Sequence, residues 1–384
     1  MRTHGRGCLS VRILVISRLP PFTLGGAERQ ASRLIVEWRR AGHEVMVFGA
    51  DIGASRVDLA GFSIPARRIR IVQGWGRAMR ALSYFVSLSL LLVRHRRWPD
   101  VIYCRFLGDA AVTVALLKAL GLLRVPLVAV PANAGPDGDT AYLRKAPLAG
   151  LLPRLLERRC EAINLIAPRM ESDLRDYGLS ARQFHTIPNG ISLAPVPARQ
   201  WHGERRFVAV GRLAEQKGLD VLLKALATLQ PQTSAARIRI VGEGPLRAQL
   251  AEQARVLGLS SCVEFMGEAS EAEVRRHLAE AHVFLLPSRY EGFSNAALEA
   301  MESGLPVIVS RCGGIDTYLR PDMGWVVEPG DVASLAEALR AALAAPAEAL
   351  ADMGARCRAE VEASFDIRRV AARNVELFRS LARA

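Results

Sequence analysis

This sequence lacks the spacings that hold metals. Its six cysteines, Cys8, Cys104, Cys160, Cys262, Cys312 and Cys357, are widely scattered, with no Cys-x-x-Cys pair among them. The seven histidines are dispersed as well, and no His-Glu-x-x-His occurs. No metal is therefore expected, and reduced thiols in a reducing compartment are expected in place of a disulfide framework. Low-complexity tracts, long charge blocks and repeats of solenoid period are missing too, so nothing reads as a disordered tail or an array. Long apolar runs are also wanting. The most apolar helical stretch covers residues 81–93, which is 13 residues and too short to span a bilayer. Residues 1–17 resemble a secretion signal only superficially, because Arg12 and Arg18 bracket a very short apolar stretch. A first β-strand over residues 11–17 explains that stretch better.

What is present is length and apolar material. The chain has 384 residues, half of them hydrophobic, which suits two domains of ordinary size with real cores. The formal net charge is +13, unevenly shared. Residues 1–190 hold 28 Lys and Arg against 14 Asp and Glu, whereas residues 191–384 hold 23 against 24. Basic knots stand at Arg67, Arg68 and Arg70, at Arg94, Arg96 and Arg97, and at Arg154, Arg158 and Arg159. A one-sided basic domain suits anionic lipid headgroups or a nucleic acid, and an Arg-rich solvated surface accounts for it equally well.

Short β-type runs alternate with helical stretches. "VRILVIS", a helical "AERQASRLIVEWRRAG" and "HEVMVFG" begin the series, and "VIYC" and "VPLVAV" continue it. Near residues 186–197 the text turns to "TIPNGISLAPVP", rich in turn formers. The rhythm then restarts with "RFVAVG", "ARIRIVG", "VEFMG", "HVFLLP" and "PVIVS", each separated by a helical stretch. This βαβ alternation predicts two doubly wound α/β domains with parallel sheets and a cleft between them. Ligands of such sheets sit beyond the carboxyl ends of the strands.

The stretch "RYEGFSNAALEAMESGLPVIVS", residues 289–310, carries most chemistry. Ser294 or Asn295 can cap a helix that runs through "AALEAMES" and stops at Gly304. Glu291 precedes that helix, and Glu299, eight residues on, lies a little over one turn inside it. The helix N-terminus between them offers free N–H groups and a positive dipole end, which attract phosphate. A carboxylate only accepts hydrogen bonds, so its natural partners are sugar hydroxyls. Hydroxylated groups on either side of a diphosphate describe a nucleotide sugar. Two surface glutamates on a capped helix would be the plain alternative, but Glu291 has no helix partner to explain it. "VGRLAEQKGLD" adds Arg212 after a strand, then Lys217 and Gly218 before a helix. Arginine forks two phosphate oxygens and lysine acts as a point charge, though a solvated basic loop would read the same. "GGAERQ" places Gly25 and Gly26 at a helix start, where a backbone can approach a ligand or simply turn tightly. "VGEGPLR" has Gly-x-Gly without the third glycine of a dinucleotide fingerprint and reads as a turn shaping the cleft wall.

In order, "GGAER", "IPNGI", "GRLAEQKG", "VGEGPLR" and "EGFSNAALEAMESGLPVI" resemble a family 4 glycosyltransferase of the GT-B type, two Rossmann-like domains facing across a cleft. The resemblance covers most of the chain and is strongest over residues 187–331. It implies an acceptor-side domain over residues 1–188, with a final helix in residues 366–384 crossing back onto it, and a nucleotide-sugar-binding domain over residues 189–365. By the same resemblance Glu299 holds the ribose hydroxyls and Glu291 contacts the transferred sugar. Backbone N–H groups near Gly292, Phe293 and Ser294 meet the phosphates, Arg212 and Lys217 neutralise the diphosphate, and Gly25 and Gly26 approach it from the other domain. The implied enzyme is a hexosyltransferase type that retains anomeric configuration and needs neither metal nor cofactor. Its donor would be UDP- or GDP-linked.

One departure stands out. The family commonly has a histidine in a loop after a mid-domain strand, and here "VPLVAV" leads into "PANAGPDGDTAYL" with none. Asn133 or Asp139 is expected to take that hydrogen-bonding role, unless the segment is an ordinary Gly/Asp turn. The acceptor is expected to be a glycan or a lipid-linked glycan of the cell envelope. The apolar helix over residues 81–93 and the "RHRRW" after it suit peripheral contact with an anionic membrane, on the cytoplasmic side. A buried helix with a solvated basic end is the alternative. Two rival functions remain at this level. A non-hydrolysing nucleotide-sugar epimerase needs additional acid/base groups. A nucleic-acid-binding or scaffold protein predicts salt-dependent binding, yet no recognition motif is present and no nucleic acid is expected.

Overall fold

The computed structural model describes residues 10–383 apart from 21, 23, 24, 75, 133, 134, 147 and 231–235. The chain divides into two compact units, Met1–Gly190 with Ile367–Ala384, and Ile191–Asp366. The boundaries lie two residues and one residue beyond the expected 188 and 365. The reason is local. Asn189 accepts a bond from Arg105 Nη2 at 3.0 Å. Gly190 lies so close to Ile367 that a Cβ would meet its Cα at 2.9 Å. Both residues are thereby held on the first unit.

The first unit opens with β1 (Arg12–Ile16), α1 (Gly26–Arg40), β2 (Glu44–Gly49) and the hairpin β3 (Arg56–Leu59) and β4 (Phe62–Arg68). Then come α2 (Gly76–His95), β5 (Val101–Arg105), α3 (Asp109–Ala119), β6 (Leu127–Val130), α4 (Asp139–Arg144), α5 (Leu152–Arg159), β7 (Ala162–Leu165), α6 (Met170–Asp176) and β8 (Phe184–Thr186). The sheet order is β3-β4-β2-β1-β5-β6-β7-β8, and every pairing but β3 with β4 is parallel. β5, β6 and β7 are buried along their whole length, as strands covered by helices on both faces must be.

The second unit runs β9 (Arg205–Val210), α7 (Leu219–Ala227), β10 (Ala236–Val241), α8 (Arg247–Val256), β11 (Val263–Gly267), α9 (Glu271–Glu280) and β12 (Val283–Leu286). It continues with α10 (Asn295–Glu302), β13 (Val307–Ser310), β14 (Gly324–Val327), α11 (Val332–Ala344) and α12 (Ala347–Ser364). Its six strands are all parallel in the order β11-β10-β9-β12-β13-β14. Chain order therefore reverses direction between β9 and β12, which makes that point the switch where doubly wound sheets bind ligands.

The last helix, α13 (Ile367–Arg383), returns to the first unit. On α1, Ala31, Leu34, Ile35 and Trp38 recur at helical spacing and are buried. Trp38 Nε1 donates to Ala371 O at 3.2 Å. The Trp38 ring meets Tyr103 and Phe378 edge-on, at 5.3 and 5.5 Å between centroids. The five described cysteines are buried and unbridged. Among the described residues no helix is long and apolar enough to cross a membrane.

Candidate functional site

The two loops at the switch point of the second unit hold Arg212 and Lys217, and Glu291, Gly292, Phe293 and Ser294. After β9 the chain passes Gly211 and Arg212, forms a short 3-10 turn over Glu215–Lys217, and enters α7 through Gly218. Gly218 is left-handed, with φ of 62°, and a Cβ there would meet Pro287 O at 2.0 Å. Only glycine lets this loop lie against the end of β12.

The loop after β12 is fastened to the same place. Arg289 forks Asp220, with Nη1–Oδ1 and Nη2–Oδ2 both at 2.7 Å. That fork holds the Asp220 carboxyl below the usual range. Arg289 N donates to Gln216 O at 2.8 Å, and Gln216 Nε2 donates to Tyr290 O at 3.1 Å. Lys217 Nζ and a Glu291 carboxylate oxygen are thereby brought into a direct ion pair. Ser288 Oγ donates to the same oxygen at 3.3 Å. Glu291, which has no partner on the helix it precedes, finds one in Lys217, from a segment distant in sequence. Both side chains are largely shielded, at 18% and 14% exposure, so the pair meets little screening. Arg212 makes no side-chain hydrogen bond or ion pair among the described residues. With Gly211, Lys217 and Pro287 it lines a crevice of about 10 Å3 beyond the ends of β9 and β12.

Gly292, Phe293 and Ser294 are buried and lead into α10. Ser294 is the N-cap, its Oγ accepting from Ala297 N at 3.3 Å. Phe293 packs on Tyr318 and Phe365, at 6.3 and 5.5 Å between centroids, and so fixes the approach to the helix. Glu299 sits on the α9 side of α10, in a small dent shared with Glu271, Val274, Arg275 and Leu278. Glu291 is thus held at the loop after β9, whereas Glu299 lies between α9 and α10. "VGEGPLR" is a turn whose backbone lies on the β9 loop: Gly242 has φ of 135°, and a Cβ there would meet Gly211 O at 2.0 Å.

Several residues of this site escaped the sequence reading. Arg289 and Asp220 carried no local signal. The loop after β13 carries one, a Gly-Gly pair at Gly313 and Gly314. Gly313 and Gly314 donate to the Asp316 carboxylate at 3.1 and 2.7 Å, and the loop rests on Gly292.

In the first unit, Gly25 is the N-cap of α1, and Gly26 is its first residue. Asn133 lies outside the described residues. Asp139 opens α4 and is buried. Its Oδ2 accepts from Leu107 N at 3.1 Å and Ala132 N at 3.0 Å, bracing the loops after β5 and β6. Burial pushes its carboxyl up to about 6, against the pull of those two N–H groups. Asp139 also lines a cavity of about 580 Å3 at the carboxyl ends of β1, β2 and β5. Arg18, Tyr84, Arg105 and Phe106 line the same cavity, and none was singled out from sequence. Phe106 has φ of 79°, a strained backbone for a bulky residue and one that tends to mark functional sites.

Residues 24–194 match the Glycosyltransferase Family 4 model, and residues 204–345 match Glycosyl transferases group 1. A glycogen synthase of Mycobacterium tuberculosis is 27% identical over 96% of this chain and 94% of its own. The putative colanic acid biosynthesis glycosyltransferase WcaL of Escherichia coli K12 is 30% identical over 70% of this chain and 67% of its own. Sucrose-phosphate synthase of Thermosynechococcus elongatus superposes with a TM-score of 0.76 at 20% identity, over 97% of this chain and 99% of that one. Anabaena HepE, solved with UDP and glucose, gives 0.76 at 19% identity, over 96% of this chain and 100% of that one. At these identities the structural likeness speaks for the fold, two parallel-sheet α/β units of the GT-B class. Both matched families are glycosyltransferases, so the epimerase and nucleic-acid alternatives are not favoured. The chain belongs to the family 4 glycosyltransferases, and its activity is glycosyl transfer.

Proposed function

We propose that the chain takes a hexosyl group from a UDP- or GDP-linked donor, with retention at the anomeric carbon, and places it on a glycan or lipid-linked glycan of the cell envelope. The observation that carries this is the meeting of Arg212, the Lys217–Glu291 pair and the capped start of α10 at one switch point. The names of relatives support the envelope role, among them WcaL, and the UDP complexes of HepE support the donor class.

In this reading Arg212, Lys217 and the N–H groups at Ser294 receive the diphosphate. Glu299 takes the ribose hydroxyls, and Glu291, sharing Lys217 with the phosphates, faces the transferred sugar. The anomeric C–O bond to the diphosphate breaks as a C–O bond to the acceptor hydroxyl forms. The hydroxyl proton passes to a departing phosphate oxygen. The barrier is the charge building on the diphosphate, and fixed cations with a helix end oppose it. No metal is required for that, so chelators should leave turnover intact. Gly25 and Gly26 serve the phosphates by close backbone approach, and Asp139 supplies the hydrogen bond for which relatives use histidine. The acceptor is met at the inner face of the cytoplasmic membrane, to which the protein attaches peripherally.

Thermal shift against a panel of nucleotides and nucleotide sugars tests the donor class, since a ligand that binds only the folded state raises Tm. Glu299→Ala should lose nucleotide binding, and the anomeric configuration of the product, read by NMR, decides retention. Normal transfer by a variant carrying Arg212→Ala, Lys217→Ala and Glu299→Ala would refute the assignment.

A further inference from the structure

The longest helix of the first unit, α2, is apolar on two opposite faces. Leu88 and Leu92 are buried against the unit. On the other side Leu82, Val86 and Leu90 follow one another at four-residue steps, 56%, 46% and 68% exposed, with Met79 at 38% three residues before. An ordinary surface helix puts charge there. The segment before α2 widens the stripe, because Val72 is 46% exposed and its N–H is tied to Ser83 Oγ at 3.0 Å. Arg70 N is tied to Ser87 Oγ at 2.8 Å, one turn further along.

The rim of this stripe has one sign of charge. Residues 59–99 contain eight arginines and not one Asp or Glu. Arg68, Arg70, Arg80, Arg94, Arg96 and Arg97 are exposed. A second copy of the chain docking by the same face would set arginine against arginine, which disfavours a symmetric dimer. A nucleic acid would be met by aromatic or polar groups, not by a row of Leu and Val. An aliphatic stripe bordered by cations fits a bilayer interface with anionic headgroups.

We propose that the outer face of α2 is an interfacial docking surface for an anionic lipid bilayer, with Met79, Leu82, Val86 and Leu90 at the acyl boundary and the surrounding arginines on the headgroups. The same helix supplies Arg80, Ala81 and Tyr84 to the wall of the 580 Å3 cavity. Docking therefore brings that cavity alongside the headgroup layer, where an acceptor carried on a lipid anchor would present its polar end. The inference extends the peripheral-membrane reading of the acceptor side, and it stands on residues of the first unit alone.

The test is co-sedimentation of the full chain with vesicles of phosphatidylcholine, with and without phosphatidylglycerol. Two variants on exposed positions accompany it, Leu82→Ser with Leu90→Ser, and Arg94→Gln with Arg96→Gln and Arg97→Gln. The wild type should pellet with the anionic vesicles and be released by salt. Each variant should bind at least about tenfold more weakly. The nucleotide-sugar thermal shift should be unchanged in both, which also certifies their folding. A wild type that stays in the supernatant, or variants that bind as well as it does, would overturn the proposal. So would a dimer in light scattering that the leucine variant dissolves. Vesicle binding without any nucleotide-sugar shift would leave this surface standing and sink the proposed donor chemistry.

Discussion

Lys217 and Glu291 show how one contact changes what a substitution should do. Their pair is well shielded, so removing one partner strands the other in a poorly solvated place. Lys217→Ala should lower both Tm and kcat, because it deletes the cation proposed to meet the diphosphate and leaves Glu291 uncompensated. Glu291→Gln should lower kcat while leaving nucleoside diphosphate affinity equal or higher, since Lys217 is released toward phosphate. Isothermal titration with UDP and GDP beside steady-state kinetics separates the two, and a Glu291→Gln variant with weakened diphosphate binding would contradict the assignment. Asp139 yields a different pair of variants. Both backbone donors reach its Oδ2, so Asp139→Asn can keep both bonds through its amide oxygen. Asp139→Ala strands two buried N–H groups and should cost about 1–3 kcal/mol for each, readable by urea unfolding.

At the scale of elements, the strands hold the loops of the candidate site in place. Gly218→Ala would need a left-handed alanine whose Cβ meets Pro287 O at 2.0 Å. The strain alone is about 1–3 kcal/mol, and the expected outcome is a lower Tm together with loss of the nucleotide-sugar shift. Ser294→Ala removes the α10 cap at about 1 kcal/mol and should weaken phosphate binding through the disordered first turn. His282, between α9 and β12, sets a pH limit for the second unit. It is fully buried, with Nδ1 accepting from Arg206 N at 3.1 Å and Nε2 facing Gln200 O at 2.7 Å. Burial lowers its pKa from 6.5 to about 4. A depressed histidine pKa means that the folded state resists a proton the unfolded chain would take. Its stabilising share is complete above about 6.5 and is lost as pH falls toward 4. The Tm of the wild type should therefore fall across that window. His282→Gln should flatten the fall, and an unchanged slope would assign the acid sensitivity elsewhere.

For the whole molecule, the return of α13 to the first unit is the feature most exposed to truncation. Trp38 and Phe378 are both buried and share an edge-on contact. Phe378→Ala should cost about 3–5 kcal/mol. Ending the chain at Asp366 would strip Ala371 and Phe378 from Trp38, and the first unit should then lose its cooperative melt while the second keeps its own, which calorimetry would resolve. The order of elements was open to reading because parallel strands buried on both faces are written as continuous apolar runs, and the helices between them repeat every three or four residues. The start of α10 was legible for a similar reason: a cap, an acidic pair and a terminating glycine all lie within one short stretch.

Local sequence thus decided the alternation of most strands and helices, and that a helix capped at Ser294 begins between Glu291 and Glu299. It could not decide neighbours. Lys217 meets Glu291 across 74 residues, and Arg289 meets Asp220 across 69, only because β12 lies beside β9 in the sheet. The two apolar faces of α2 look alike in the text, since periodicity records hydrophobicity and not direction. Packing alone chose Leu88 and Leu92 for the interior and left Leu82, Val86 and Leu90 outside.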